Sequence, residues 1–360
     1  MMNSKVIGSC QTPGFAGYSC EFSPFYKDKI AISTAANFGL VGNGRLHLLN
    51  VEKIFKNSDP NFKIEKTFDT QDGLYDLAWS EIHENQLVTG SGDGSIKLWD
   101  ITLNEFPIQS WNEHKREVFC LDWNNLRKDL FVSSSWDNLV KIWNPMRSES
   151  ILTIPAHESC VYSAKFSPSS PNTIATCSSD GTLKIWDTNL PSKTQPVLTI
   201  LAHPAEVLSL DWNKYSSNQI ATGSVDRTVK IHDLRMAVSS RSNVNSNESV
   251  VQDSSSSCVC NLIGHQYAIR KVAWSPHCQN EVASSGYDMT ARVWLVPGAL
   301  NQNSSNDLIQ NRIDLIAQNG RPKTLHVAHR EFVVGLAWSF FHPGIIATAS
   351  WDQQVHLWSS

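Results

Sequence analysis

One spacing recurs along the chain and restricts its fold more than any other feature. A histidine is followed nine residues later by an aromatic residue, fourteen further on by an aspartate, and six further on by a tryptophan or histidine. Five segments keep this spacing: His114, Trp123, Asp137 and Trp143; His157, Phe166, Asp180 and Trp186; His203, Trp212, Asp226 and His232; His265, Trp274, Asp288 and Trp294; His329, Trp338, Asp352 and Trp358. A constant period of this kind indicates a repeat architecture.

Two incomplete copies precede these five. The nearer copy has a threonine in place of the histidine, and the first copy has an asparagine in place of the aspartate and seven extra residues around ANFGLVG. The positions concerned are Thr70, Trp79, Asp93 and Trp99 in the nearer copy, and Phe22, Asn43 and Leu49 in the first. The chain therefore contains seven repeats.

Each repeat reads as β-strands joined by short turns. VFCLDW and VYSAKF end at the aromatic residue, IATCSS and IIATAS follow a turn, and TLKIWD and QVHLW follow the aspartate. With a closing Trp-Asp pair such as Trp99-Asp100 and a Gly-His pair at Gly264-His265, the pattern resembles the WD-repeat family. The resemblance implies an all-β fold, a seven-bladed WD-repeat β-propeller that spans residues 1–360 as a single domain.

The repeated polar residues are expected to be structural. A four-stranded blade cannot bury both faces alone, whereas a ring of blades buries each one against the next. In the family, the histidine, aspartate and tryptophan form a buried hydrogen-bonded set within a blade, which satisfies groups that are costly to bury unpaired. The residues assigned to this role are Asp93, Trp99, His114, Asp137, Trp143, His157, Asp180, Trp186, His203, Asp226, His265, Asp288, Trp294, His329, Asp352 and Trp358.

The last repeat lacks an outer strand, because only two residues follow Trp358 in its third strand. Ser4 to Cys10 (SKVIGSC) would supply that strand, so we expect the propeller to be closed by the N-terminal strand, which removes an exposed edge.

Two stretches break the spacing, and both are predicted to be flexible inserts, at about 237–258 and 298–323. The first is rich in Ser and Asn. The second contains LIQNRIDLIAQ, which could form a short amphipathic helix. Surface loops are the favoured interpretation, and a role in binding a partner is the alternative.

Composition excludes several classes of function. A net charge of −4 provides no basic field for nucleic acid, and no apolar run is long enough to predict a membrane span. The eight cysteines contain no C-x-x-C pair, so we expect a reduced, cytosolic protein without disulfides, metal or cofactor. No G-x-S-x-G, H-E-x-x-H or phosphate-loop spacing is present, so we expect no enzyme.

The histidine and aspartate positions should anchor loops at one end of the propeller. Side chains three and five residues after the histidine, and one before the aspartate, should then surround the mouth of the central channel. The residues predicted to bind a peptide there are Tyr18, Asp72, Tyr75, Glu117, Phe119, Trp136, Tyr162, Glu206, Tyr287 and Trp351. Aromatic anchors beside carboxylates favour a short basic, amphipathic segment, and a helix is the form we expect.

Some segments resemble a narrower family. GFAGYSCEFSPFYKDKIAIS, NFGLVGNGRLHLLN, FDTQDGLYDLAWSE and HKREVFCLDWN closely resemble the receptors for type 2 peroxisomal targeting signals. The resemblance implies a receptor for a helical N-terminal nonapeptide of matrix proteins, with a basic residue and Leu at its start and His and Leu at its end. Asp72 and Glu117 match the acidic positions that the family places around the basic residue.

The same resemblance implies partners and a location. Such receptors act with a co-receptor, in fungi a separate peroxin, deliver cargo to the peroxins of the docking complex, and cycle between cytosol and peroxisome matrix. The alternative is a WD-repeat adaptor subunit of a chromatin or ubiquitin-ligase complex that recognises a basic peptide. The peptide that the protein retains distinguishes the two.

Overall fold

The computed structural model describes residues 2–56, 61–190, 194–241, 252–253, 257–297 and 320–360. These residues form seven sheets, each built on four antiparallel strands. The N-terminal strands are β1 (Met2–Asn3) and β2 (Lys5–Gln11). The strands of blades 1 to 4, four to a blade, are β3 (Phe15–Phe22), β4 (Lys29–Ala36), β5 (Gly44–Asn50), β6 (Lys63–Thr70), β7 (Leu74–Trp79), β8 (Gln86–Ser91), β9 (Ile96–Asp100), β10 (Gln109–Trp111), β11 (Val118–Trp123), β12 (Phe131–Ser135), β13 (Leu139–Trp143), β14 (Leu152–Pro155), β15 (Val161–Phe166), β16 (Thr173–Ser178), β17 (Thr182–Asp187) and β18 (Leu198–Leu201).

Blades 5 to 7 follow the same plan, and β2 is the outer strand of blade 7. Their strands, with β22 joining the outer edge of blade 4, are β19 (Val207–Trp212), β20 (Gln219–Ser224), β21 (Thr228–Asp233), β22 (Gln252–Asp253), β23 (Cys258–Ile263), β24 (Ile269–Trp274), β25 (Glu281–Gly286), β26 (Ala291–Leu295), β27 (Arg321–His326), β28 (Val333–Trp338), β29 (Ile345–Ser350) and β30 (Gln354–Ser359). The helices are α1 (Glu52–Phe55) and α2 (Leu234–Arg241), with a 3₁₀ turn at Asn37–Gly39. The seven-bladed propeller expected from the sequence is confirmed.

The first strand of each blade lies nearest the central channel and is called its inner strand. The inner strands of successive blades contact one another in a closed ring, which returns from β28 to β3. Because each blade is antiparallel, the turns that carry the repeated aspartates and the segments that carry the histidines lie at one end of the ring, here called the upper face. The turns between the first and second strands lie at the other end, the lower face. The segments that join third to outer strands, which include both predicted inserts, begin and end at the lower face.

The N-terminal residues close the ring, as expected. β2 pairs antiparallel with β30, from Lys5 opposite Ser359 to Gln11 opposite Gln354. β1 adds a contact that the sequence analysis did not foresee, since it pairs parallel with β27 of blade 6. In the core at the closure, Cys10 of β2 and Leu357 of β30 belong to the same cluster as blade 1 residues such as Ile32.

Blades 3, 4 and 6 each contain a directional chain of hydrogen bonds from the aspartate through the histidine and a hydroxyl residue to the tryptophan. In blade 4, His157 Nδ1 lies 2.8 Å from Asp180 Oδ2, and His157 Nε2 lies 2.8 Å from Thr176 Oγ1. Trp186 Nε1 donates to the same threonine oxygen at 2.9 Å. Since the carboxylate accepts, Nδ1 carries the proton, Nε2 accepts from the hydroxyl, and the hydroxyl accepts from the indole. The hydroxyl residue, nineteen positions after the histidine, was not recognised from the sequence.

Blades 2, 5 and 7 keep only parts of this chain. In blade 2, Trp99 Nε1 donates to Thr89 Oγ1 at 2.8 Å without a histidine. In blade 5, His232 Nε2 takes the place of the indole, 3.1 Å from Thr222. In blade 7, Trp358 Nε1 has no hydrogen-bond partner among the described residues, and the indole stacks on His326, with ring centroids 4.9 Å apart.

A cluster of three buried histidines lies at the closure. His326 Nδ1 is 2.8 Å from Ser4 Oγ, and His326 Nε2 is 3.2 Å from His356 Nδ1. Nitrogen atoms of His326, His329 and His356 lie within 4.8 Å of one another, a spacing that would suit a metal. The nitrogens of His329 are engaged by Asp352 and by Thr348, and the His329 and His356 rings stack 4.0 Å apart, so their in-plane lone pairs do not converge. These hydrogen bonds fit a packed core better than a metal centre.

The edges of both ranges predicted to be flexible inserts contain regular secondary structure. Residues up to Arg241 continue helix α2, β22 and β23 occupy residues at the end of the first range, and β27 begins at Arg321, because these segments pair with or extend the blades. Apart from Ser257 and Gly320, the remainder of both ranges lies outside the described residues, and so does the segment LIQNRIDLIAQ, whose helix stays a prediction. Within the described part of the chain, no helix has the length and apolar character to cross a membrane.

Deleting residues 1–11 is expected to destabilise the whole propeller, because it removes the strand paired with β30 and exposes the cluster around Cys10. The loss should be on the order of 5 kcal/mol, from several ladder hydrogen bonds and buried apolar side chains. Deleting residues 1–3 removes β1 alone and serves as the control, with a much smaller loss. Chemical denaturation of both truncations measures this, and equal stability of the two would contradict the closure role of β2.

Acid should weaken the closure. Burial, together with the neighbouring histidines, lowers the pKa of His326 to about 2 and that of His356 to about 4. The unfolded chain takes up these protons near the ordinary histidine pKa of 6.5, so stability falls as the pH drops below about 6.5. For His356 the fall continues to about pH 4.

His356→Gln should reduce that fall by up to about 1.4 kcal/mol per pH unit between pH 6 and 5, measured as the free energy of unfolding in urea. Substitution of the exposed His83 by Gln is the matched control, with the wild-type slope. A His356→Gln slope equal to that of wild type would show that His356 is not kept neutral by its surroundings.

Candidate functional site

A β-bulge in every inner strand builds the upper face. The ladder between first and second strands skips one residue in each blade, as between Val118 and Cys120. A bulge of this kind redirects the side chain of the extra residue. The seven skipped residues are Tyr18, Tyr75, Phe119, Tyr162, Leu208, Arg270 and Val334. In the five repeats that contain the histidine, the skipped residue is the one five positions after it, which was predicted to lie at the channel mouth.

The aromatic side chains of this face form one continuous arc. Adjacent rings in it have centroids 4.5 to 5.9 Å apart, and Tyr75, Phe119 and Trp136 are stacked nearly parallel. In order, the aromatic arc consists of Tyr162, Trp136, Phe119, Tyr75, Tyr18, Trp351, Phe332 and Tyr287. It runs through every blade except blade 5. The structure therefore brings together all seven aromatic residues predicted to bind, and Phe332, a channel-mouth position by the same spacing, joins them.

Tyr18 and Tyr75 are held beneath the surface. They are 8% and 9% exposed, and their hydroxyls donate to the backbone carbonyls of Phe38 at 2.6 Å and Gly39 at 2.9 Å. Burial, and then the nearby Asp72 and Glu117 carboxylates, raise the pKa of Tyr75 to about 12. These two tyrosines position the face, whereas Phe119, Trp136, Tyr162, Tyr287 and Trp351 are partly exposed on it.

The three predicted carboxylates lie beside the arc with few internal partners. Asp72 Oδ1 accepts from the amide of Gly73 at 2.7 Å, and Glu206 Oε2 accepts from the Tyr162 hydroxyl at 3.0 Å. Glu117 has an ion pair of 3.6 Å with the exposed Arg116. Among the described residues, no lysine or arginine lies within ion-pair distance of Asp72 or Glu206, so both carboxylates are available to a cation on a ligand.

Arg270 is the charged residue of this face that the list of candidates did not include. Its guanidinium lies 5.3 Å from the centre of the Phe119 ring, and the residue is buried. Arg270 extends from blade 6 across the axis to blade 3, where its guanidinium makes a cation–π contact with the Phe119 ring of the arc. A buried arginine at a bulge position was visible in the sequence, but its direction depends on the bulge.

Charged residues also line the central channel, and their geometry is structural. Glu21, Asp122 and Asp211 precede the inner aromatic residue of their blades and accept the backbone N–H of Trp79, Phe166 and Trp274 in the next blade around the ring, at 2.8 to 3.0 Å. Lys165 pairs with Asp122 at 2.9 Å. The space between them is about 420 Å³. These side chains connect neighbouring blades, so the upper face is the better candidate for binding a ligand.

Known families match this chain. The family described as "WD domain, G-beta repeat" matches residues 62–100, 105–144, 148–187, 194–233, 256–294 and 320–359. A peroxisomal targeting signal 2 receptor of Komagataella phaffii is 40% identical over 97% of this chain and 98% of its own length. Receptors of the same name from Saccharomyces cerevisiae and Mus musculus are 35% and 37% identical, over 96% and 97% of this chain and 97% and 95% of their own lengths.

The chain belongs to the peroxisomal targeting signal 2 receptor family. The repeat match begins only at residue 62, so the first three strands of blade 1 and the extra residues between β4 and β5 lie outside it. Blade 1 is therefore the part of this chain that departs most from an ordinary WD repeat, although it has the same four-stranded topology.

Glu117→Gln and Asp72→Asn should leave the unfolding temperature within about 1 °C of wild type, because neither carboxylate has a buried cationic partner. Asp137→Asn removes a charge bonded to His114 at 2.8 Å and to the Lys115 amide at 3.0 Å, and it should cost about 2 kcal/mol. Thermal unfolding of the three variants measures this. A large loss in Glu117→Gln would assign Glu117 a structural role.

Proposed function

We propose that this chain is an import receptor that binds the type 2 peroxisomal targeting signal of matrix proteins and, with a co-receptor, delivers them to the peroxisome. The observation that carries the proposal is the pair of carboxylates, Asp72 and Glu117, beside a continuous aromatic arc on the upper face, with no buried cation to neutralise them. Relatives named peroxisomal targeting signal 2 receptors, matched along nearly their full length, support it.

The signal binds as a helix whose basic and apolar side chains fall on one side, because residues three and four apart are neighbours on a helix. Its arginine pairs with Asp72 and Glu117, and its leucines pack on the partly exposed rings of Trp136 and Trp351. Tyr75, which the sequence analysis placed in direct contact, acts through its ring stack and its hydroxyl. The proposed reaction is binding and release, without catalysis.

A nonapeptide helix that lies on the upper face keeps its opposite side in water. A co-receptor peroxin that covers this side would bury the remaining apolar residues of the helix and raise the affinity. Delivery to the peroxins of the docking complex, and cycling between cytosol and peroxisome matrix, complete the proposal. The adaptor alternative shares the same face, and no particular observation favours it.

Glu117→Lys should lower the affinity for a fluorescently labelled type 2 signal nonapeptide by about a hundredfold or more, because a lysine repels the cation that the carboxylate would bind. Fluorescence anisotropy with and without the co-receptor peroxin measures the affinity. Glu84→Lys, an equal charge change in an exposed turn of the lower face, is the matched control.

The folded wild-type protein should bind the nonapeptide, and Glu84→Lys should bind it equally well. Wild-type affinity in Glu117→Lys would remove Glu117 from the site. Absence of binding by the folded wild type under both conditions would reject the receptor proposal.

A further inference from the structure

Blade 1 carries a loop at the upper face that its fold does not require. In blade 3 the turn between the second and third strands runs from Ser135 to Leu139, whereas in blade 1 it runs from Ala36 to Gly44. The extra residues expose three apolar side chains, with Phe38 46%, Leu40 87% and Val41 70% exposed. We call these three side chains the apolar tip.

The loop is held in one conformation by several contacts. Besides the Tyr18 and Tyr75 hydroxyl bonds to the carbonyls of Phe38 and Gly39, Asn37 Nδ2 donates to the carbonyl of Val41 at 3.2 Å. Asn37 and Phe38 have positive φ angles of 47° and 57°, a conformation that side-chain-bearing residues adopt only when the surroundings impose it. A Cβ atom on Gly39 would lie 2.6 Å from the Tyr18 hydroxyl, so the backbone of the loop packs directly against a ring of the arc.

The apolar tip is continuous with both halves of the proposed cargo site. The Phe38 ring is 5.6 Å from that of Trp351 in the arc. On the other side, a Cβ atom on Gly73, the neighbour of Asp72, would lie 3.8 Å from the Gly39 Cα. Burial first, and then the charges of Asp72 and Glu117, raise the pKa of Tyr75, the residue that anchors the loop. Exposed apolar residues, aromatic rings and carboxylates that have no buried cationic partner therefore form one surface.

We propose that the apolar tip is a specificity element that binds an apolar side chain of the cargo signal while Asp72 binds a cation on the same helix. This inference rests on the proposed receptor function. A purely basic segment would leave the tip in water, and a purely apolar one would bury the carboxylates without a partner. A helix with a cation and an apolar residue three or four positions apart presents both on one side, which matches the position of Gly73, next to Asp72, beside the loop that carries the tip.

A double-mutant cycle tests the proposal. The receptor variant is Leu40→Ser with Val41→Ser, and the ligand is the type 2 signal nonapeptide with its leucines present or changed one at a time to alanine. With the unchanged peptide, the variant should bind about tenfold more weakly. With one of the alanine peptides, variant and wild type should bind equally, because the contact has already been removed.

Two further variants make the test specific. Leu103→Ser changes an exposed apolar residue in a lower-face segment and should keep wild-type affinity. Tyr75→Phe retains the stacked ring but removes the hydroxyl that holds Gly39, and it should weaken binding of the leucine peptide more than that of the matching alanine peptide, the pattern of a positioning residue. All variants should show the wild-type unfolding temperature to within a few degrees, measured in parallel.

The outcomes separate this inference from the function on which it rests. If the wild type binds no nonapeptide, the receptor proposal itself fails. If the wild type binds and the tip variant binds equally well, the tip is not part of the cargo site and the inference is overturned. A tip variant that keeps its affinity for the peptide and loses only its response to the co-receptor would also overturn it, because the tip would then contact the second protein.

Discussion

The closure of the ring by one antiparallel strand pair is the interaction on which the rest of the structure depends. Every blade buries its two faces against its neighbours, and no blade has a core of its own. The ring holds only if blade 7 is complete, and β2 completes it by pairing with β30. Side chains of β2 and β30 then enter the same core as blade 1. The upper face, which collects residues from all seven blades, exists only in the closed ring.

The site is a consequence of how the inner strands are built. Each inner strand has a bulge near its upper end, and the bulged residue points toward the axis because it has no partner in the ladder. Where these residues are aromatic, their rings meet in an arc, and where one is Arg270, it crosses the channel to support that arc. The carboxylates of the upper face lie beside the arc and can bind a cation on a ligand. Those inside the channel accept backbone N–H groups of the next blade and so connect neighbouring blades.

The number of blades, the closing strand and the structural His–Asp pairs could be predicted from the sequence, because they depend on the spacing of residues along the chain. The sequence also identified Asp72, Glu117 and seven aromatic residues of the face, since position relative to His and Asp specifies them. It did not reveal that Tyr18 and Tyr75 are buried, or that their hydroxyls anchor the loop around Phe38. Those facts depend on packing between blades 1, 2 and 7. The hydroxyl that links His157 to Trp186 was not predicted either, because the residue at that position is a threonine in some repeats and a serine in others.

Hydrogen–deuterium exchange of the folded protein, with and without a saturating type 2 signal nonapeptide and its co-receptor, tests the central claim most directly. The account predicts slower exchange in the upper-face segments around Phe38, Asp72, Glu117 and Trp351, with the lower-face turns unchanged. Slower exchange confined to the lower-face turns, or to the lower end of the channel beside Asp211, would place the cargo at the opposite end of the propeller and contradict the account.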